Sequence, residues 1–258
     1  MSGLHLRHWP GDPARPALAL HCMMGSGSAW GPIAAGLEGR IDLRGFDMPG
    51  HGRSDAWLPQ AEGPDYHTAV TRLAAAMIDR PLDLIGHSFG ATVALRIAVA
   101  APEAVRSLTL IEPVLFAASP DPAQDARDRE MAELLDEGRD GEAAAAFLAV
   151  WGAQDMAQMP GPVRTQVTRQ IRLVAATQGA LRHDSARILR PGGLEQIEAP
   201  VLLIQGDRSP VVIRAISEAL AARLPDVGRA SVPGAGHMAP LTHPAQVAGL
   251  IAVNLDRS

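Results

Sequence analysis

No lysine occurs in this chain of 258 residues; all 23 basic residues are arginine. That excludes Schiff-base chemistry, which needs a lysine amine. A single cysteine, Cys22, excludes an internal disulfide and a thiolate metal cluster. Aromatic residues make up 3% and the net charge is −5, so neither base stacking nor a basic footprint for nucleic acid is on offer. No run approaches the ~18 consecutive apolar residues of a membrane span. The opening MSGLHLRHWPGDP lacks the apolar core of a signal peptide. The expectation is a cytoplasmic protein, monomer or homodimer, whose partner is a small molecule rather than nucleic acid or membrane.

What is present is a rhythm. Short apolar runs recur at 17–22 (ALALHC), 82–87 (LDLIGH), 107–112 (SLTLIE) and 201–206 (VLLIQG). They are continuous rather than alternating, as in parallel strands buried on both faces. IDLRGFD (41–47) is a weaker member, and the alternating HLRHW (5–9) suits an edge strand. Helical patterns lie between them at 66–79, 88–102 and 209–225. Strand alternating with helix predicts an α/β fold with a mostly parallel, doubly wound sheet. Functional groups then belong at the carboxyl ends of the strands. Residues 113–195 break the rhythm, with helical stretches such as PAQDARDREMAELLDEG and GEAAAAFLAVWG and no good strand. The expected division is a core of 1–112 and 196–258 with a helical cap over 113–195.

The strongest local signal is GHSFG at 86–90, directly between a strand and a helix. A serine on such a turn needs small neighbours, and Gly86, Gly90 and Ala91 supply them. The turn would lift the Ser88 hydroxyl above the sheet edge and aim the Phe89 N–H at the spot where an oxyanion forms. The plainer alternative is a serine capping a helix, with glycines there for packing.

With GHSFG, DMPGHGRS (47–54), LALHCMMGSGSAW (18–30) and PGAGHMAPLTHP (233–244), the chain resembles the α/β-hydrolase family over nearly its whole length. The resemblance implies the α/β-hydrolase fold, a helical cap inserted after the family's strand six, and serine-hydrolase chemistry without a cofactor or metal. It implies His237, in the Gly/Pro-rich loop, as the general base. It also implies an oxyanion hole from the Met23 and Phe89 N–H groups. Here Cys22 stands where the family usually has glycine. Of the other histidines, His21 is expected to bond locally, His51 to mark a turn, and His87 to be structural. His67 and His183 read as surface or cap residues, and His243 as the start of the last helix.

The acid is ambiguous. Many family members carry it three residues past the glycine that ends the next strand. That position is Ser209 here, while Asp207 lies only one past Gly206. Glu112, ending the 107–112 strand just before Pro113, is the preferred acid. A subset of haloalkane dehalogenases carries its acid at this point. Asp207 is the alternative. Phe116, Phe147, Trp151 and Met156 are candidates for the substrate pocket, and the cap arginines for a substrate anion.

The leading function is hydrolysis of a small or medium carboxyl ester through an acyl-enzyme. Acyl transfer and carbon–carbon bond hydrolysis use the same constellation. A non-catalytic ligand-binding or regulatory protein on this fold is the reading from a different class.

Overall fold

The computed structural model describes residues 3–59 and 61–258. Seven strands form one sheet: β1 (Leu6–Trp9), β2 (Pro16–Leu20), β3 (Asp42–Phe46), β4 (Leu82–His87), β5 (Val105–Ile111), β6 (Val201–Gly206) and β7 (Val227–Val232). Their order is β1-β3-β2-β4-β5-β6-β7. Every pairing is parallel except β1 with β3, so the α/β-hydrolase sheet is mostly parallel with an antiparallel edge. The central strands β2 and β4 are buried at every position, which is why they read as continuous, largely apolar runs; the buried Asp83 in β4 is held by Arg15 and Ser107. β7 carried no such signal: VGRASV is an outer strand with several half-exposed positions.

Helices α1 (Gly31–Gly36), α2 (Tyr66–Ala75) and α3 (Phe89–Ala100) precede β5. α4 (Pro122–Asp136), α5 (Asp140–Trp151), α6 (Gly161–Ala175) and α7 (Gln178–His183) follow it in succession. α8 (Val211–Ala221), α9 (Ala239–Thr242) and α10 (Pro244–Leu255) complete the chain. The helices between β5 and β6 thus follow this chain's fifth strand, the counterpart of the family's sixth. After α7 the chain returns to the core, where Ile188, Leu194 and Ile197 are fully buried among α3 and α8 residues.

One core cluster lies on the α2/α3/α8 side of the sheet and reaches into the insertion through Met131, Leu135, Trp151 and Ile171. The other lies on the α1/α10 side. α3 is buried along nearly its whole length, so the turn that feeds it is held by packing on all sides. The order of β3, β2 and β4 reverses the winding at β2/β4, and a crevice at the carboxyl ends follows from that switch. No helix among the described residues is long and apolar enough to cross a membrane.

Candidate active site

Ser88 sits between β4 and α3 with φ 55° and ψ −116°, a region that side chains resist. Packing enforces it. A Cβ on Gly86 would lie 2.4 Å from the Gly90 carbonyl oxygen, and one on Gly90 2.3 Å from the Leu20 oxygen. Only glycines let β4, α3 and the end of β2 approach this closely.

The loop after β7 brings His237 to this turn. Ser88 Oγ and His237 Nε2 are 2.9 Å apart, and His237 Nδ1 is 3.0 Å from Glu112 Oε2. Glu112 Oε1 accepts from the Gly206 N–H at 2.5 Å and the Ser209 hydroxyl at 2.6 Å. Burial would raise this carboxyl, but the bonds from His237, Ser209 and Gly206 outweigh it and leave it below the ordinary glutamate range. With Nδ1–H donated to Glu112, His237 Nε2 is free to accept the Ser88 proton.

Asp207 is elsewhere. Its Oδ1 accepts the Gly234 N–H at 2.8 Å in an exposed turn, so it braces the loop that carries His237 without touching the imidazole. Ser209, at the family's usual acid position, donates to the Glu112 carboxylate.

Met23 and Phe89 flank Ser88, and among the described residues neither backbone N–H has an acceptor. Cys22 fits its loop because the unusual backbone falls two residues on, at Met24, with φ 59°. Gly25 leaves room for the thiol, since a Cβ there would lie 2.9 Å from Cys22 Sγ. Burial pushes that thiol up to about 12, which removes Cys22 as a nucleophile.

Two histidines clamp this loop. His51 Nε2 accepts the Met24 N–H at 3.0 Å, and His21 Nε2 accepts the Met48 N–H at 2.9 Å. The loops after β2 and β3 are therefore tied to each other beside Ser88. Sequence reasoning gave these two residues only local roles, because each bond spans 27 positions. His87 donates through Nε2 to the His237 carbonyl at 2.9 Å. His67 is a correction: it is 1% exposed, beneath α3, where Thr92 and Arg96 contact its two ring nitrogens.

Two cavities meet at Ser88 and His237. The outer one, about 290 Å³, runs along Cys22, Met24, Gly152, Met159 and Val167. The inner one, about 40 Å³, runs past Phe89, Val114 and Phe116 to Gln124, Asp128 and Gln178. Phe147 and Trp151 line both, and the Trp151 ring stands edge-on to His237 at 4.8 Å. Phe116, Phe147 and Trp151 thus reach the site. Met156 does not: it packs on the Leu148–Met159–Val167 cluster, and Met159 faces the cavity in its place. Arg172 and Arg182, on the helices between β5 and β6, are paired with Asp140 and Asp125.

A serine on a strained strand-to-helix turn, beneath helices inserted after β5, is the architecture of the α/β-hydrolase fold. Residues 18–244 match the family described by that name, and the chain belongs to it. It is 30% identical over 236 residues to the pimeloyl acyl-carrier-protein methyl ester esterase of Methylococcus capsulatus, covering 87% of this chain and 88% of that one. It is 36% identical over 116 residues to Lipase LipV of Mycobacterium tuberculosis, a match spanning 43% of this chain and 42% of that one. Among solved structures, a hydrolase from Pseudomonas aeruginosa is 25% identical, with TM-score 0.72 over 98% of this chain and 94% of that one. The chain is a hydrolase of the α/β type.

Proposed function

We propose that the protein hydrolyses carboxyl esters of small or medium acyl groups, with Ser88 as nucleophile, His237 as base and Glu112 as acid. The observation that carries this is the pair of contacts at His237: 2.9 Å to Ser88 Oγ and 3.0 Å to Glu112 Oε2. The Ser88 oxygen attacks the ester carbonyl while His237 Nε2 takes its proton. The tetrahedral oxyanion lies between the Met23 and Phe89 N–H groups, which have no acceptor to give up among the described residues. Glu112 holds the imidazole in its Nδ1–H form and stabilises the imidazolium. His237 then protonates the departing alkoxide, leaving an acyl-Ser88. Water, deprotonated by His237, attacks that acyl group, and Ser88 recovers its proton as the acid leaves.

The named relatives, an esterase and a lipase, support ester substrates. The partner is accordingly a small molecule. A fluorophosphonate probe tests the nucleophile without knowledge of the substrate. Rapid labelling located at Ser88 by mass spectrometry, lost in Ser88→Ala, is the expected result. An unlabelled wild-type protein would sink the proposal.

A further inference from the structure

The outer cavity does not stop at the residues around Ser88. It adjoins a surface groove of about 530 Å³, and the two share Cys22, Met24, Val163, Val167, Met238 and Leu241. Beyond those residues the groove reaches Ser28, Trp30, Pro32 and Pro240. On this side, Ser88 therefore opens onto a run of space far larger than the inner cavity of about 40 Å³. Cavities of roughly 300–1,000 Å³ hold whole small-molecule ligands.

The wall of that run is uncharged. Among the described residues, no Asp, Glu or Arg lines the outer cavity or the groove. Burial holds the His21 and His87 rings down to about 3, so both are neutral at pH 7. The Ser26 and Ser28 hydroxyls bond each other at 2.7 Å, and backbone groups engage both His21 ring nitrogens. Two large apolar side chains in the wall face solvent: Leu241 of α9 is 56% exposed and Val163 of α6 is 39% exposed. Single exposed apolar residues carry no meaning, but these two border the same groove, and an apolar ligand in it would cover both.

The chemistry decides which part of an ester lies there. In the proposed mechanism His237 protonates the departing alkoxide, so the alcohol oxygen is on the imidazole side of the tetrahedral carbon. Met238, Pro240 and Leu241 follow His237 in the chain and form part of the groove wall. Water must afterwards reach the acyl-enzyme. An alcohol that leaves through the groove clears that path, whereas a long acyl chain lying in it would stay on Ser88 and obstruct it. The acyl group is left the smaller space past Phe89, Val114 and Phe116.

From this we infer that the preferred substrates are esters of a short acid with a long, neutral, apolar alcohol, whose alkyl chain lies along Met24, Met238 and Leu241 into the groove. The inference rests on the hydrolase reading of Ser88. It makes Val163 and Leu241 specificity determinants, on two helices far apart in sequence.

The test uses octyl acetate and its isomer methyl nonanoate, which carry the same alkyl chain on the alcohol side and on the acyl side, with acid release as readout. Each methylene buried in an apolar site is worth about three- to fourfold. On that scale kcat/KM for octyl acetate should exceed that for methyl nonanoate, and that for butyl acetate, by at least about tenfold. Leu241→Glu puts a charge in the wall and should cut the octyl-to-butyl ratio at least about threefold. Val163→Glu should do the same and stands in should the first variant fold poorly. Equal rates on the two isomers, a preference for methyl nonanoate, or an octyl-to-butyl ratio unmoved by both variants would overturn the inference. So would faster turnover of 8-(trimethylammonio)octyl acetate, which would make the groove a cation site. Fluorophosphonate labelling of Ser88 reports separately on the hydrolase reading. If Ser88 is not labelled, calorimetry with 1-octanol still decides whether the groove takes a neutral alkyl alcohol: binding weakened by Leu241→Glu supports it, and no binding overturns it.

Discussion

The Ser209 hydroxyl donates to Glu112 Oε1 at 2.6 Å. The residue at the position where the family commonly keeps its acid thus supports a carboxylate supplied by the neighbouring strand. The two strands deliver these groups to one point because β5 and β6 are adjacent and parallel, in register from Leu108/Val201 to Ile111/Ile204. Glutamate suits the β5 origin, since its longer side chain reaches both His237 and the end of β6.

Neutralising the acid should therefore separate the two candidates cleanly. Glu112→Gln leaves the shape but turns one oxygen into a donor, which favours the wrong imidazole tautomer. A loss of about 10³- to 10⁴-fold in kcat is expected. Asp207→Asn keeps an oxygen for the Gly234 N–H and should stay within about twofold of wild type. Ester turnover by the two variants checks this, and the reverse ranking would move the acid to Asp207.

Ser209→Ala should show a graded effect. Glu112 keeps the Gly206 N–H but loses one of the bonds that hold its carboxyl low. Losing that charge-assisted bond removes one of the interactions that favour the ionised form, so the pKa of the carboxyl rises. Below that value it is protonated and ceases to stabilise the imidazolium. The acid limb of the kcat profile should move to higher pH, with a smaller loss near pH 8. A profile with an unmoved acid limb would leave Ser209 as a packing residue only.

The loop clamp makes a third prediction. His51→Phe removes the acceptor of the Met24 N–H next to Met23. An unpaired buried donor costs about 1–3 kcal/mol, and the adjacent Met23 N–H loses its fixed aim. In the proposed mechanism that N–H binds the oxyanion rather than the resting ester, so kcat should fall about tenfold while KM changes little. An effect on KM alone would mean that the loop shapes the cavity and does not serve the transition state.

The sheet was legible wherever burial is two-sided. The runs at 17–22, 82–87, 107–112 and 201–206 overlap β2, β4, β5 and β6, because strands covered on both faces need apolar residues throughout. β7 was not legible, since Arg229 and Ser231 face outward on the last strand. In the site, GHSFG and the His237 loop announce themselves through glycine and spacing, and the choice of Glu112 followed from counting residues past Gly206. Residues defined by partners far along the chain were hidden. His67 looked like a surface histidine until Thr92 and Arg96 are brought against it. Met156 and Met159 are indistinguishable in MAQMPGP, because the turn between them decides which one faces the cavity.

Four histidines tie stability to pH. Burial holds His21 and His87 down to about 3 and His51 and His67 to about 4, with smaller contributions from neighbouring charges. The contacts give three of them a concrete reason. His21 accepts from the Met48 N–H, His51 from the Met24 N–H and His67 from Arg96, so a proton on the accepting nitrogen would face another N–H. In the unfolded chain each titrates near ~6.5. The folded values lie lower, so the unfolded state binds more protons between about pH 6.5 and 4, and stability is lost as pH falls through that window. At pH 5.5 each histidine costs about 1.4 kcal/mol, so the four together cost about 5.6 kcal/mol against a whole-protein stability of roughly 5–15 kcal/mol. Carboxylates add to this only at lower pH. Urea midpoints measured every half unit from pH 8 to pH 5 should hold level to about pH 7 and then drop steeply. Replacing His67 by leucine should flatten the drop by about a quarter, even though it weakens the fold at pH 8. A midpoint that stays level down to pH 5 would show that these rings accept protons in place, and that the hydrogen bonds assigned to them do not hold.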